Sequence, residues 1–359
     1  MVDINNLFTR TKKLVGLDIG SGSLKLAEVL TTSSGHVLNR FLQLPLPKGI
    51  ISEGMVNDSR ALSAKIKELF WNSGCRGKGV VTALSGNAVV VKKVTFAQME
   101  DAELRDLIRD EAGKYLPFDN MDDVNYDFQI LGDNEYNPNQ MDVIIVAAKK
   151  DIVDTYVEAI TAAGLTVAIM DVDSFALETM YEANYEYEEN DIAVIVRIGA
   201  DLTNINVIKG SMSIFTRDFT MGGNSITEGL QERYGVSFDE AEIIKVEGLP
   251  GSEQENADLR NTIIDFADPI CSEIERSIDY FRSTFGGEFI KRVLLTGGTS
   301  KIPGLAANLS QRLNVDTELV NPLLKIGINK RNVNPNNLES IKPVAAVAIG
   351  LGLRRIGDK

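Results

Sequence analysis

Twice along this chain an apolar strand runs into a glycine-containing turn with a small hydroxyl residue soon after. The first copy is Leu17-Asp18-Ile19-Gly20 with Ser23, and the second is Val196-Arg197-Ile198-Gly199 with Thr203. Repetition of one supersecondary unit points to two similar lobes with a cleft between them. A length of 359 residues agrees, being long for a single compact core. Apolar runs predict strands at 15–19, 24–29, 80–83, 89–94, 143–148, 192–198, 202–208 and 292–296. Helices are predicted at 59–71, 100–115, 152–163, 226–234, 238–246, 267–281 and 345–353. Strands and helices therefore mix throughout, which defines an α/β class. The polar stretch 132–140 and the acidic stretch 182–191 read as solvated loops.

Charge narrows the function. A formal net charge of −14 repels phosphate backbones and anionic headgroups, so nucleic acid is not expected as a partner and charge-driven membrane docking is not either. Cys75 and Cys271 form no disulfide framework, which suits a reducing cytoplasm. The lone histidine, His36, sits in a turn-like Ser33-Ser34-Gly35-His36 stretch and reads as a solvated residue rather than a catalytic base. Residues 1–13 are basic without an apolar core, so no secretory leader is expected. The longest apolar run, 344–353, is about half of the ~20 residues that a membrane-spanning helix needs.

Three motifs carry chemistry. In Gly16-Leu17-Asp18-Ile19-Gly20-Ser21-Gly22-Ser23-Leu24-Lys25, the small residues let consecutive backbone amides approach a phosphate. Lys25 adds a point charge, and Asp18 is placed to hold a water of a Mg²⁺ shell. The same residues also make an ordinary Gly/Ser hairpin. In Leu294-Leu295-Thr296-Gly297-Gly298-Thr299-Ser300-Lys301-Ile302-Pro303, a buried strand enters a double glycine that permits close approach of a flat ring, with a helix expected to start at Ile302-Pro303. It is neither a Walker A loop nor a Rossmann fingerprint, and a plain strand–turn–helix junction fits it as well. On the helix around Asp239–Lys245, Glu242 and Lys245 share a face, either to grip a ribose or as a solvated ion pair.

Taken in order, these motifs resemble the actin/Hsp70/sugar-kinase superfamily, with an actin-like, ribonuclease H-like two-lobed fold. The resemblance places residues 18–25 at the first phosphate hairpin. Gly199, Ala200 and Thr203 fall at the second, and Gly297, Gly298, Thr299 and Ile302 at the adenosine loop. Asp171–Leu177 and Pro343–Gly352 look like the two connecting helices, whose small residues would let them cross closely. Within the superfamily the chain resembles the PilM family. The residues that carry this are Glu111–Phe118 followed by Asp127–Gly132, and Arg217–Asn224 followed by Ile226-Thr227. The implied division has subdomain 1A at 14–91 and 152–190, an FtsA/PilM-type insert 1C at 92–151, 2A at 191–225 and 291–340, 2B at 226–290, and a returning helix at 341–359.

The resemblance implies ATP and Mg²⁺ as cofactors and a scaffold role in the cytoplasm, at the inner face of the inner membrane. The expected partner is the cytoplasmic N-terminal peptide of PilN, in a groove walled by 92–151, with Tyr115, Leu116 and Phe118 as candidate contacts. Other pilus platform proteins and self-association are further expectations, and membrane attachment would be indirect. One position departs from the superfamily. Arg197 stands where the second hairpin normally carries an aspartate, and an arginine cannot ligate a cation. It can instead contact phosphate or pair with Asp18 or Asp173. Asp173 stands where relatives place a water-polarising acid, so weak hydrolysis is the expectation. An FtsA-like division protein and a small-molecule kinase are the alternatives. The short polar end of the sequence weighs against the first, and Arg197 against the second.

Overall fold

The computed structural model describes residues 14–118, 120–134, 137–248, 253–285 and 289–358. The first lobe opens with β1 (Leu14–Ile19), β2 (Ser23–Thr32) and β3 (Gly35–Pro45), an antiparallel meander. A small hairpin follows, β4 (Ile51–Ser52) and β5 (Met55–Val56). Next is α1 (Ser59–Ser73), whose Asp58 side chain caps the amide of Ala61 and whose Gly74 ends it in a left-handed conformation. Then come β6 (Gly79–Leu84) and β7 (Val90–Ala97), α2 (Asp101–Tyr115), β8 (Val124–Asn134) and β9 (Asn137–Lys149), α3 (Lys150–Ala162), β10 (Thr166–Val172) and α4 (Asp173–Asn184). The second lobe holds β11 (Ile192–Ile198), β12 (Thr203–Lys209), β13 (Met212–Phe219), α5 (Gly223–Tyr234), α6 (Phe238–Glu247), α7 (Glu253–Thr284), β14 (Ile290–Thr296), α8 (Leu305–Leu313) and β15 (Thr317–Leu319). The strand β16 (Gly327–Ile328) and the helix α9 (Leu338–Leu353) lead back to the first lobe.

The two large sheets repeat one topology. One reads β10-β6-β1-β2-β3-β16 and the other β13-β12-β11-β14-β15. In each, an antiparallel meander (β1-β2-β3 or β11-β12-β13) meets a parallel neighbour (β6 or β14) on its first strand. The hairpin turns close alike, with Gly20 N–H donating to Ser23 O at 3.2 Å and Gly199 N–H to Leu202 O at 2.8 Å. The duplication visible in the sequence is thus a duplication of fold.

Between the sheets lie α4 and α9, in a core with Leu177, Met180, Ile195, Leu294 and Ile349. A Cβ at Gly350 would lie 1.8 Å from the Ala176 carbonyl oxygen, and one at Gly16 would lie 2.1 Å from that of Ala348. Only glycine allows these backbone approaches, so the small residues do set the crossing. A second core packs α1 and α3 on the first sheet, and a third packs α5–α8 on the second. A separate small core lies under α2, on the three-stranded sheet β7-β9-β8.

Some expectations are corrected. The stretch 132–140 is the end of the β8–β9 hairpin, with ladder pairs continuing to Asn134↔Asn137; residues 135–136 lie outside the described residues. Its polar side chains suit an exposed hairpin end as well as a loop. The stretch 182–191 begins inside α4, and its Tyr185 is buried and stacked on Tyr181 at 5.1 Å. The helix expected at 267–281 is most of the second half of the much longer α7, whose first turns are polar. Thr299–Lys301 forms a single 3-10 turn, and the helix after it starts at Leu305, two residues beyond Pro303. His36 lies in β3 opposite Thr31, hydrogen-bonding its hydroxyl at 3.2 Å.

Candidate functional site: an inter-lobe cleft and an adjoining groove

Because both hairpins end at the same edge of their sheets, their turns face each other. A Cβ on Gly22 would lie 3.0 Å from the Cβ of Ala200. The cleft between them has a volume of about 620 Å³, within the range of small-molecule sites. It is lined by Asp18, Gly20, Ser21, Gly22, Ser23 and Lys25 from the first hairpin and by Gly199 and Ala200 from the second. Glu242 and Lys245 of α6 and Gly297, Gly298, Thr299 and Ile302 complete the set expected from sequence. Two expected residues are not on its surface. Thr203 is buried and donates to Met221 O at 2.8 Å, and Asp173 lies behind Arg197.

Sequence reasoning passed over Gly223 and Asn224, which also line the cleft. Gly223 N–H donates to Gly199 O at 2.9 Å, Asn224 N–H to Ala200 O at 2.8 Å, and Thr299 Oγ1 to Gly199 O at 2.9 Å. Two segments, 223–224 and Thr299, thus converge on the Gly199-Ala200 turn. A Cβ at Gly223 would meet Thr299 Oγ1 at 2.4 Å, so the double glycine Gly222-Gly223 was the available signal. At Gly298, by contrast, a Cβ would meet nothing within 4 Å, which leaves open space over the loop.

The floor is a chain of buried charges. Lys25 Nζ lies 2.9 Å from Asp18 Oδ2, and Arg197 lies 3.5 Å from Asp18 Oδ1 and 2.8 Å from Asp173 Oδ2. Two carboxylates and two cations balance, which is how such groups are tolerated away from water. Burial opposes the charge on Arg197, but Asp173 and Asp18 outweigh it and hold the guanidinium above its ordinary pKa. Burial pushes the Asp173 carboxyl up to about 6, against the pull of Arg197 and with the help of Asp18. Lys245 is shifted down by its own burial, although Glu242 lies 2.6 Å away. The pair is the expected i,i+3 ion pair with one buried end: the Glu242 side chain stays 43% exposed, while Lys245 also donates to Thr227 Oγ1 at 2.7 Å and Gly223 O at 3.1 Å.

The expectation that Asp18 serves a Mg²⁺ shell does not fit this arrangement. Both of its oxygens face cations, and Arg197 stands between it and Asp173. A dication there would meet two fixed positive charges. Asp173 is likewise held by Arg197 and is not placed to polarise a water.

The lobes are joined again beyond this floor. Asp218 accepts from the Gly86 amide at 2.7 Å, and Lys48 bonds Glu228 at 2.9 Å while lying 4.0 Å over the Phe238 ring.

A groove of about 630 Å³ separates the α2/β7–β9 unit from the first lobe. One wall is β8 and β9, including Phe128, Ile130, Ile144 and Val146; the other includes Ile169, Met170, Phe175 and Arg354. Its far wall is fixed by Arg354, whose guanidinium holds Asp171 at 2.6 and 3.2 Å. Tyr115, Leu116 and Phe118 are not in this groove. Leu116 is buried, Tyr115 packs edge-on to Phe96, and all three belong to the core beneath α2. An apolar run after a helix reads the same whether it faces a partner or its own sheet, and here Tyr115 and Leu116 also line a separate shallow pocket with Val90, Val91 and Lys92.

Two duplicated sheets, crossed central helices and a cleft between facing glycine turns define an actin-like, two-lobed α/β fold. A solved structure of EutJ, an ethanolamine utilization protein from Carboxydothermus hydrogenoformans, shares this fold with a TM-score of 0.54 at 16% identity, over 94% of this chain and 88% of that one. A solved PilM-PilN type IV pilus biogenesis complex is more similar. Its matching chain is 30% identical with a TM-score of 0.84, over 95% of this chain and 98% of that one. The description of type IV pilus assembly protein PilM matches residues 16–356, and the chain belongs to that family.

Proposed function

We propose that this protein is a cytoplasmic scaffold of the type IV pilus assembly platform that binds ATP in the cleft and the cytoplasmic N-terminal peptide of PilN in the groove. The observation that carries it is the pairing of a cleft lined by two facing glycine turns with a separate, partly apolar groove in a member of the PilM family. Phosphates would meet the amides of Ser21 and Gly22 and the Lys25 charge, the ribose would meet Glu242, and the base would lie over Gly297-Gly298. ATP turnover is slow in this reading, because no carboxylate at the floor is free to activate water. The division into 1A, 1C, 2A and 2B keeps the boundaries set out from the sequence. The insert wall of the groove lies inside 92–151.

No helix among the described residues is long and apolar enough to cross a membrane, so attachment to the inner membrane would run through the partner. Among the described residues the strand β8 is an edge strand, paired only with β9, and its residues 125–130 line the groove. An extended peptide can add to such an edge while placing alternate side chains in apolar pockets. The acidic chain suits a neutral or basic peptide. Other platform proteins and self-association belong to the same proposal without a surface assigned to them.

The test is fluorescence anisotropy with a labelled PilN N-terminal peptide. Ile130 is 37% exposed on the groove wall, so Ile130→Asp leaves the fold intact. Binding by the wild type and a loss of about tenfold or more in Ile130→Asp is the expected result. Equal binding by both proteins places the peptide elsewhere.

A further inference from the structure

The hairpin position that would serve a metal holds a fixed cation. Arg197 stands two residues before Gly199, as Asp18 stands two before Gly20. Its guanidinium reaches across to the first lobe and lies between Asp18 and Asp173. A Cβ built on Gly20 would be 3.5 Å from Arg197 Nη2 and 3.8 Å from Lys25 Nζ. Both cations thus sit directly against the Gly20 turn, and both contribute to the lining of the cleft.

Mg²⁺ needs near-octahedral oxygen ligands at about 2.0–2.1 Å and a local excess of negative charge. The floor offers neither, since its charges already cancel. The next carboxylates are also engaged. Asp218 holds the Asn204 amide and the Gly86 N–H, and Glu242 holds Lys245 and Thr227. Arg197, however, keeps donors to spare. Of its five N–H groups, Nη2 makes one long hydrogen bond of 3.5 Å to Asp18, and Nη1 forms an ion pair with Asp173 at 2.8 Å. An entering polyphosphate can draw the Nη2 side of the guanidinium and the Lys25 ammonium toward itself.

We propose that Arg197 takes the place of the divalent cation in this cleft, so that a nucleoside triphosphate binds as the metal-free anion. This rests on the reading of the cleft as a nucleotide site. The contacts to the phosphates then come from the spare donors of two side chains fixed by the fold, one from each lobe, rather than from an ion that arrives with the nucleotide.

The experiment is calorimetric titration of the purified protein with ATP, once in excess magnesium chloride and once in excess EDTA. The wild-type dissociation constants are expected to agree within about threefold. An affinity lower by about tenfold or more in EDTA overturns the proposal. No binding in either buffer overturns the nucleotide reading itself, and this inference with it. The charge-exchanged double variant Arg197→Asp with Asp173→Arg keeps the floor neutral but returns a carboxylate to the hairpin. If it stays folded by circular dichroism, it is expected to bind at least about tenfold better with magnesium than with EDTA. Equal affinity of this variant in both buffers would mean that Arg197 is not what replaces the metal.

Discussion

In the first lobe an aspartate stands two residues before the glycine of the hairpin turn; in the second an arginine holds the equivalent place. The backbones around them match, from the antiparallel partner strand to the bond that closes the turn. The side chains reverse sign. Asp18 faces a lysine from its own hairpin, whereas Arg197 has Asn204 opposite it in the ladder and finds its carboxylates in Asp18 and at the start of α4. The difference teaches that a duplicated fold fixes where a charge sits without fixing which charge it is. Here the reversal turns two independent hairpins into one ion-paired floor that spans both lobes.

The sharpest way to break this comparison is to remove one cation from each hairpin. Arg197→Met leaves Asp173 buried without its close partner, and should lower stability by about 3–5 kcal/mol in urea unfolding. Lys25→Met leaves Asp18 still facing Arg197, and should cost about 1.5–3 kcal/mol. Equal costs would mean that Arg197 is no more central than Lys25. The smallest effects concern the turns. A Cβ on Gly199 would lie 3.0 Å from Leu202 O, while one on Gly20 would have its nearest contact at an ordinary 3.4 Å. Gly199→Ala should therefore cost about 1 kcal/mol and Gly20→Ala less than about 0.5 kcal/mol in the same assay.

Much of the fold was legible because local chemistry marked it. Glycine turns announced both hairpins, and the small residues of Pro343–Gly352 announced a close helix crossing that Gly350 against Ala176 bears out. The ion-paired floor was legible only as a choice. Arg197 could be seen to be unusual, but whether it met phosphate, Asp18 or Asp173 depends on side chains 179 residues apart in one case, and no local pattern encodes that. That Tyr115, Leu116 and Phe118 pack in the core beneath α2 rather than line the groove was illegible for a related reason, since which residues face the groove is set by how β7–β9 dock on the first lobe. Gly222-Gly223 was visible as a motif, but its contact with Thr299 was not.

The floor makes a statement about chemistry that one measurement addresses most directly. The purified protein, loaded with ATP, is followed for phosphate release while the bound nucleotide is recovered and identified. Retention of intact ATP over many minutes is the result that a carboxylate-locked floor requires. Steady release at about one per second or faster, the ordinary range of efficient enzymes, would contradict it and mean that Asp173 or another group is free to activate water.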